Sequence, residues 1–252
     1  MSQTRATLHT ASLPLRQNRL EVKPGGSRWR HSAEVCQLFA DIPQHHLAEI
    51  ISAGRTTNFS RKQTIFHAGE MGQRIVLLTE GSVKITQIDE DGSTVILRLV
   101  GPGEVVGTLG GMRWGTHLSA AEARMSCKAL VWEVVAFEAL SERFPTLRRN
   151  TMRILAKCLN DLEARFCEVS TKRVAQRLAS ELSRMLPKAD NKIGEDVEIN
   201  LSREELAQMT ATTLFTVSRQ LSEWEQLGIV SLRRLGVVIR NPLALVTLSE
   251  VK

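Results

Sequence analysis

The residues best suited to chemistry in this chain are those that can read the edge of a base pair. Arg219 offers two parallel N–H donors, the arrangement that guanine O6 and N7 accept, and it closes the run Thr212-Thr213-Leu214-Phe215-Thr216-Val217-Ser218-Arg219. Hydroxyls at Thr212, Thr213, Thr216 and Ser218, with Ser202 upstream and Arg233 and Arg234 downstream, suit phosphate oxygens or base edges. Catalysis has no comparable set, because Ser-His-Asp, paired-carboxylate, phosphate-loop and zinc-ligand spacings are all missing. Gly101-Pro102-Gly103-Glu104-Val105-Val106-Gly107 superficially suggests a dinucleotide loop, but it is one residue too long and contains Pro102. No enzyme is expected.

Those side chains need elements that aim them, and the local pattern supplies such elements. Ser202-Arg203-Glu204-Glu205 is a capping box, which starts a helix running to about Met209. A turn at Thr210-Ala211-Thr212 leads into a second helix that places Val217, Leu221 and Trp224 on one face and ends at Gly228. Ile229–Leu232 and Val237–Ile239 flank Arg233-Arg234-Leu235-Gly236 as a hairpin, so the unit reads as a winged helix-turn-helix preceded by a short strand at Val197–Leu201. Upstream, Met152, Leu155, Leu159, Leu162, Phe166 and Val169 step alternately by three and four, the seam of a helix that pairs with another helix. Ser170-Thr171 interrupts this run and is the expected hinge.

Before the seam the texture is β-rich. Gln63–Phe66, Ile75–Leu78, Ser82–Ile85, Thr94–Val100, Ser119–Ala123 and Ala129–Val134 read as short strands. Asp89-Glu90-Asp91-Gly92 marks a hairpin, since Asp-Gly accepts the positive φ of a tight turn. Residues 31–53 read as a helical lead-in broken at Pro43. The expected organisation is α+β: a basic disordered tail at 1–30, an antiparallel β-roll at 31–136, a dimerisation helix region at 137–169 and the winged helix-turn-helix at 170–252.

Composition narrows the partners. A formal charge of +6 is concentrated at the N-terminus, where residues 1–30 carry six basic residues against Glu21. The absence of Tyr and an aromatic share of 4% argue against a stacking platform for single strands or RNA, which leaves duplex DNA. Cys36, Cys127, Cys158 and Cys167 have neither paired spacing nor secreted-scaffold density, and neither an export signal nor a membrane span is evident. The cytoplasm is the expected compartment.

The order of these pieces, with Gly101-Pro102-Gly103-Glu104-Val105-Val106-Gly107 in the β-roll and Leu201-Ser202-Arg203-Glu204-Glu205-Leu206-Ala207 followed by Thr216-Val217-Ser218-Arg219, resembles the CRP/FNR superfamily over about residues 33–245. The resemblance implies a homodimeric, sequence-specific transcription regulator that reads a two-fold symmetric site and contacts RNA polymerase. It also assigns guanine reading to Arg219. Family members carry Glu just before the matching Thr, and some carry Arg before that Glu. Here those positions are Phe215 and Leu214, which cannot accept a hydrogen bond from cytosine N4, so the half-site should differ from the usual one.

The matching effector pocket spans Gly107, Thr108, Leu109, Leu118 and Ser119. Nucleotide-binding members have Glu at the place of Thr108 and Arg at the place of Leu118. A leucine cannot replace a guanidinium on phosphate, which argues against cyclic AMP as effector. Arg113 and His117 are alternative groups at the edge of the pocket. Oxygen-sensing relatives hold an iron–sulfur cluster on grouped N-terminal cysteines, whereas only Cys36 lies there in this chain. Haem remains open, with His45, His46, His67 and His117 as ligand candidates, as does a redox role for Cys158 or Cys167. The alternative function is a small-molecule-binding β-roll that signals through protein contacts.

Overall fold

The computed structural model describes residues 36–107, 115–186 and 196–250. The basic tail at 1–30, together with Thr108, Leu109 and Arg113, lies outside these described residues.

The lead-in forms a 3-10 turn at Gln37–Phe39 and helix α1 at Gln44–Ser52, divided at Pro43, whose missing N–H suits a helix start and not its interior. Eight strands follow: β1 (Arg55–Phe59), β2 (Thr64–Phe66), β3 (Arg74–Glu80), β4 (Val83–Ile88), β5 (Thr94–Val100), β6 (Val105–Val106), β7 (Ala120–Ala123) and β8 (Cys127–Glu133). They form two antiparallel four-stranded sheets, ordered β1-β8-β3-β6 and β2-β7-β4-β5. The β4–β5 hairpin turns at Asp89–Gly92 as expected, with the Gly92 N–H donating to Asp89 O at 2.9 Å.

The unbroken apolar run of β3 has a structural reason. Val76 and Leu78 face the space between the sheets, while Ile75 and Leu77 pack on the other side against Leu38, Phe39, Phe137 and Leu147. A strand covered on both faces loses the alternation of a half-exposed one.

Helix α2 (Val134–Arg143) leads to the 27-residue α3 (Pro145–Thr171), which opens with proline at a position whose N–H has no intrahelical partner. The start of α3 is fastened to the β-roll. Leu147 is fully buried, and the Asn150 amide donates to the carbonyls of Leu38 and Ala40 at 3.1 and 2.7 Å. Ser170 and Thr171 do not interrupt the helix, contrary to the expectation. Their hydroxyls donate back to the carbonyls of Phe166 and Cys167, so the chain leaves the helix only at Lys172, whose backbone is extended.

The C-terminal unit comprises α4 (Val174–Met185), β9 (Val197–Ile199), α5 (Arg203–Thr210), α6 (Leu214–Gln226), β10 (Val230–Arg233), β11 (Gly236–Ile239) and α7 (Pro242–Glu250). Its three strands pair antiparallel in the order β10-β11-β9. Leu178, Leu182, Leu206, Val217, Leu221 and Trp224 form its core. Helix α7, absent from the sequence reading, packs on α4. The whole is the α+β arrangement expected: β-roll, long helix, winged helix-turn-helix. No described helix is long and apolar enough to cross a membrane.

Candidate nucleic-acid interface

The capping box at the start of α5 forms in full. Ser202 Oγ accepts the Glu205 N–H at 3.1 Å, and the Glu205 carboxylate accepts the Ser202 N–H at 2.8 Å and its hydroxyl at 3.0 Å. The Ser202 hydroxyl is therefore committed within the protein. The turn keeps a left-handed residue at Ala211, with φ 50° and ψ 56°. Alanine tolerates that geometry at a cost of about 1–2 kcal/mol, because its Cβ crowds the following carbonyl. Thr213 then caps α6, its Oγ1 accepting the Thr216 N–H at 3.2 Å and meeting Thr216 Oγ1 at 2.9 Å.

Burial divides α6 into two faces. Val217, Leu221 and Trp224 are at most 2% exposed, which pins the helix by its inner side. Leu214 at 52%, Phe215 at 75% and Arg219 point outward, with Thr212, Thr216 and Ser218 half-buried between the faces. In the wing, Arg233 pairs with Gly236 across the hairpin, so Arg234 and Leu235 form the tip, and both arginines are exposed. The first turn of α6 carries no acidic side chain, and Glu225 further along accepts the Leu232 N–H at 2.7 Å, tying helix to wing.

Sequence reasoning missed the residues that hold this unit on the β-roll. Arg124, just beyond β7, donates to both Glu205 carboxylate oxygens at 2.7 and 3.2 Å and to Asn200 O at 2.6 Å. Burial pushes the Glu205 carboxyl up, but the bonds from Arg124 and Ser202 outweigh that and hold it below its ordinary value. Beneath this contact Ile96 of β5, 1% exposed, is buried within the winged-helix core, with Leu99 packed beside it. At the end of α3, Arg165 bonds Leu97 O and Glu181, while Glu168 bridges Lys172 and Arg184 at 3.1 and 2.9 Å. The exit from α3 is thus braced by ion pairs.

Along α3 the seam residues fare differently. Leu155 packs partly against the β-roll core. Met152, Leu159, Leu162, Phe166 and Val169 remain between 48% and 74% exposed, an apolar stripe that no other described residue covers. Cys158 is half-buried beside the seam, with an Arg98 nitrogen 3.2 Å from its Sγ, and Cys167 is exposed.

In the β-roll a cleft of about 320 Å³ opens among Phe66, Glu70, Gln73, Arg74 and His117. His117 is buried and stacks on Phe66 with ring centroids 3.7 Å apart and planes 10° from parallel. Burial lowers its pKa, the Glu70 charge opposing and Arg74 reinforcing the shift, so the imidazole is neutral near pH 7. This stack closes over Gly107, where a Cβ would lie 2.9 Å from the Phe66 ring at φ +87°. Leu118 is 78% exposed and Ser119 half-buried, and neither lines the cleft. Among the described residues no three His, Cys, Asp or Glu side chains converge as a metal site, and burial pushes the Cys36 thiol up to about 11. His45 and His46 lie side by side at the surface end of α1, with His46 against Phe144.

Comparison with known proteins places these units. Residues 56–144 match the cyclic nucleotide-binding domain family and residues 176–248 the Crp-like helix-turn-helix domain family. The CRP-like cAMP-activated global transcriptional regulator of Mycobacterium tuberculosis is 24% identical over 206 residues, covering 81% of this chain and 92% of that regulator. The transcriptional activator protein anr of Pseudomonas aeruginosa is 25% identical over 205 residues, covering 81% and 83%. The structure of FixK2 from Bradyrhizobium japonicum superposes with a TM-score of 0.70 at 22% identity, covering 79% of this chain and 98% of that one, and shows the same fold. A β-roll matched to the nucleotide-binding family, joined by one long helix to a winged unit matched to the Crp-like family, makes this chain a member of the CRP/FNR superfamily of DNA-binding transcription regulators.

Proposed function

We propose that the chain acts as a homodimer that reads a two-fold symmetric duplex site without cyclic AMP, and that it regulates transcription by binding and not by catalysis. One observation carries the reading: the outer face of α6 presents Arg219 in the open, with Arg233 and Arg234 exposed on the adjoining wing. Arg219 reads guanine, Thr216 and Ser218 lie against the groove wall, and Thr212, Thr213 and the wing arginines approach phosphates. Ser202 contributes through the amides at the start of α5, since its hydroxyl is already bonded to Glu205.

The exposed stripe on α3 supports the dimer. A second copy covering Met152, Leu159, Leu162, Phe166 and Val169 removes it from water and sets two α6 helices against successive turns of one duplex face, about 34–36 Å apart. Leucine at 118, in place of a phosphate-binding arginine, and the Phe66–His117 stack over Gly107 support independence from cyclic AMP. RNA polymerase is the proposed protein partner at promoters.

In-vitro selection of duplex DNA by the purified chain, without added nucleotide and with Arg219→Ala as control, tests this. A symmetric motif that the variant fails to enrich is the expected result. Enrichment that requires cyclic AMP overturns the independence, and no enrichment under either condition overturns the DNA reading. A second reading is favoured by the cleft at Phe66, Arg74 and His117: an effector other than a cyclic nucleotide binds there. Ligand-induced thermal shifts that disappear in Arg74→Ala test it.

A further inference from the structure

We propose that Leu214 and Phe215 are specificity residues that pack on thymine methyl groups beside the guanine taken by Arg219; this rests on the role of α6 given above. The placement follows from the helix itself. Phe215 lies two residues before the fully buried Val217, about 200° around the axis, so anchoring Val217 inside drives Phe215 outward. Phe215 is 75% exposed and, among the described residues, touches no other ring, whereas Phe66, Phe39, Phe137 and Phe144 are all buried.

The spacing then fixes what lies next to it. Phe215 and Arg219 are neighbours one turn apart, with Cβ atoms about 5–6 Å from each other. At 3.4 Å per base pair, that separation spans one to two steps of duplex. Leu214 stands in the same relation to Ser218. Major-groove edges are otherwise lined by donors and acceptors, and the thymine C5-methyl is the apolar group they offer to two hydrocarbon side chains. No acidic or basic group lies in the first turn of α6 to compete, and Glu223 further along accepts a bond from Gln220 at 3.1 Å.

The experiment uses the full chain and the site recovered by selection. Each thymidine is replaced in turn by deoxyuridine, which removes the methyl group and leaves every hydrogen-bonding atom in place. Affinity should fall about fourfold at each contacted methyl, the effect of one buried CH₂, and about fifteenfold when both half-sites are altered. Phe215→Ala should lose the deoxyuridine penalty at one thymidine of each half-site, keeping the penalty at the thymidine that Leu214 contacts and the wild-type penalty for 7-deazaguanine at the base read by Arg219. Phe215→Leu should recover part of the discrimination, which separates lost contact from lost folding. A selected site that tolerates every deoxyuridine with no loss overturns the proposal and leaves the Arg219 reading standing. Failure to enrich any duplex overturns both, and capture of Phe215 by a protein with no methyl dependence assigns the ring to a protein contact instead.

Discussion

Among the described residues, the exposed apolar surfaces of α3 and α6 ask for different partners. On α3 the stripe from Met152 to Val169 repeats over five turns, about 25 Å of helix. Its period matches another helix of the same kind. On α6 only Leu214 and Phe215 stand out, at one end of a helix flanked by Arg219, Arg233 and Arg234. Two exposed apolar residues alone are ordinary for a protein surface. Their meaning comes from the cationic rim and the helix end on which they sit. Repetition thus supports the helix-partner reading of the first surface, and location supports the base-contact reading of the second.

The comparison breaks most sharply at the stripe. Leu162→Glu with Phe166→Glu should convert a dimer to a monomer in size-exclusion chromatography with light scattering. Affinity for a symmetric site should then fall at least hundredfold, because the second half-site no longer engages at high effective concentration. Binding to an isolated half-site should change little.

At the tip of α6, Arg219→Ala should cost about 1–3 kcal/mol per half-site and relax the preference at one base pair. Arg233→Ala and Arg234→Ala should instead weaken all sequences alike and flatten the salt dependence measured by fluorescence anisotropy.

A smaller effect sharpens the question of what aims the tip. Arg124→Ala leaves Glu205, whose side chain is 22% exposed, without its cation. Denaturant unfolding should show a loss of about 1–3 kcal/mol. The Glu205 carboxyl is held below its ordinary 4.5 in the folded protein, so this stabilisation is complete above that value and drains away as pH falls through the lower folded one. In Arg124→Ala the acid limb of the stability curve should therefore be shallower than in the wild type. The smallest change expected is a gain: Ala211→Gly relieves the left-handed alanine and should add about 1 kcal/mol without altering sequence preference.

Much of the fold was legible from local pattern. The strand Thr94–Val100 has the expected limits, the capping box starts α5 where Ser202 and Glu205 place it, and the α6 inner face is Val217, Leu221 and Trp224. Each depends on contacts within a few residues. β1 was not legible, because Arg-Thr-Thr-Asn-Phe buries only Phe59 and exists as a strand by pairing with β8. α7 was missed for a related reason: its sequence is apolar nearly all round, with no one-sided period to mark it, and it is held by packing on α4. Ser170 and Thr171 misled because a hydroxyl can cap a new helix or bond back within the old one, and only the surrounding chain selects between them.

The site divides the same way. The sequence by itself determined which side chains share a face: a three-four period makes a stripe on α3, and four-residue spacing sets Phe215 beside Arg219. Tertiary structure alone decided that Arg124 meets Glu205 across 81 residues, that Ile96 leaves its sheet's own core for that of the winged unit, and that His117 stacks on Phe66 over Gly107. Helical period is a property of the backbone and repeats wherever the chain is helical. A contact between distant segments depends on how whole elements pack, and no residue in either segment encodes its partner.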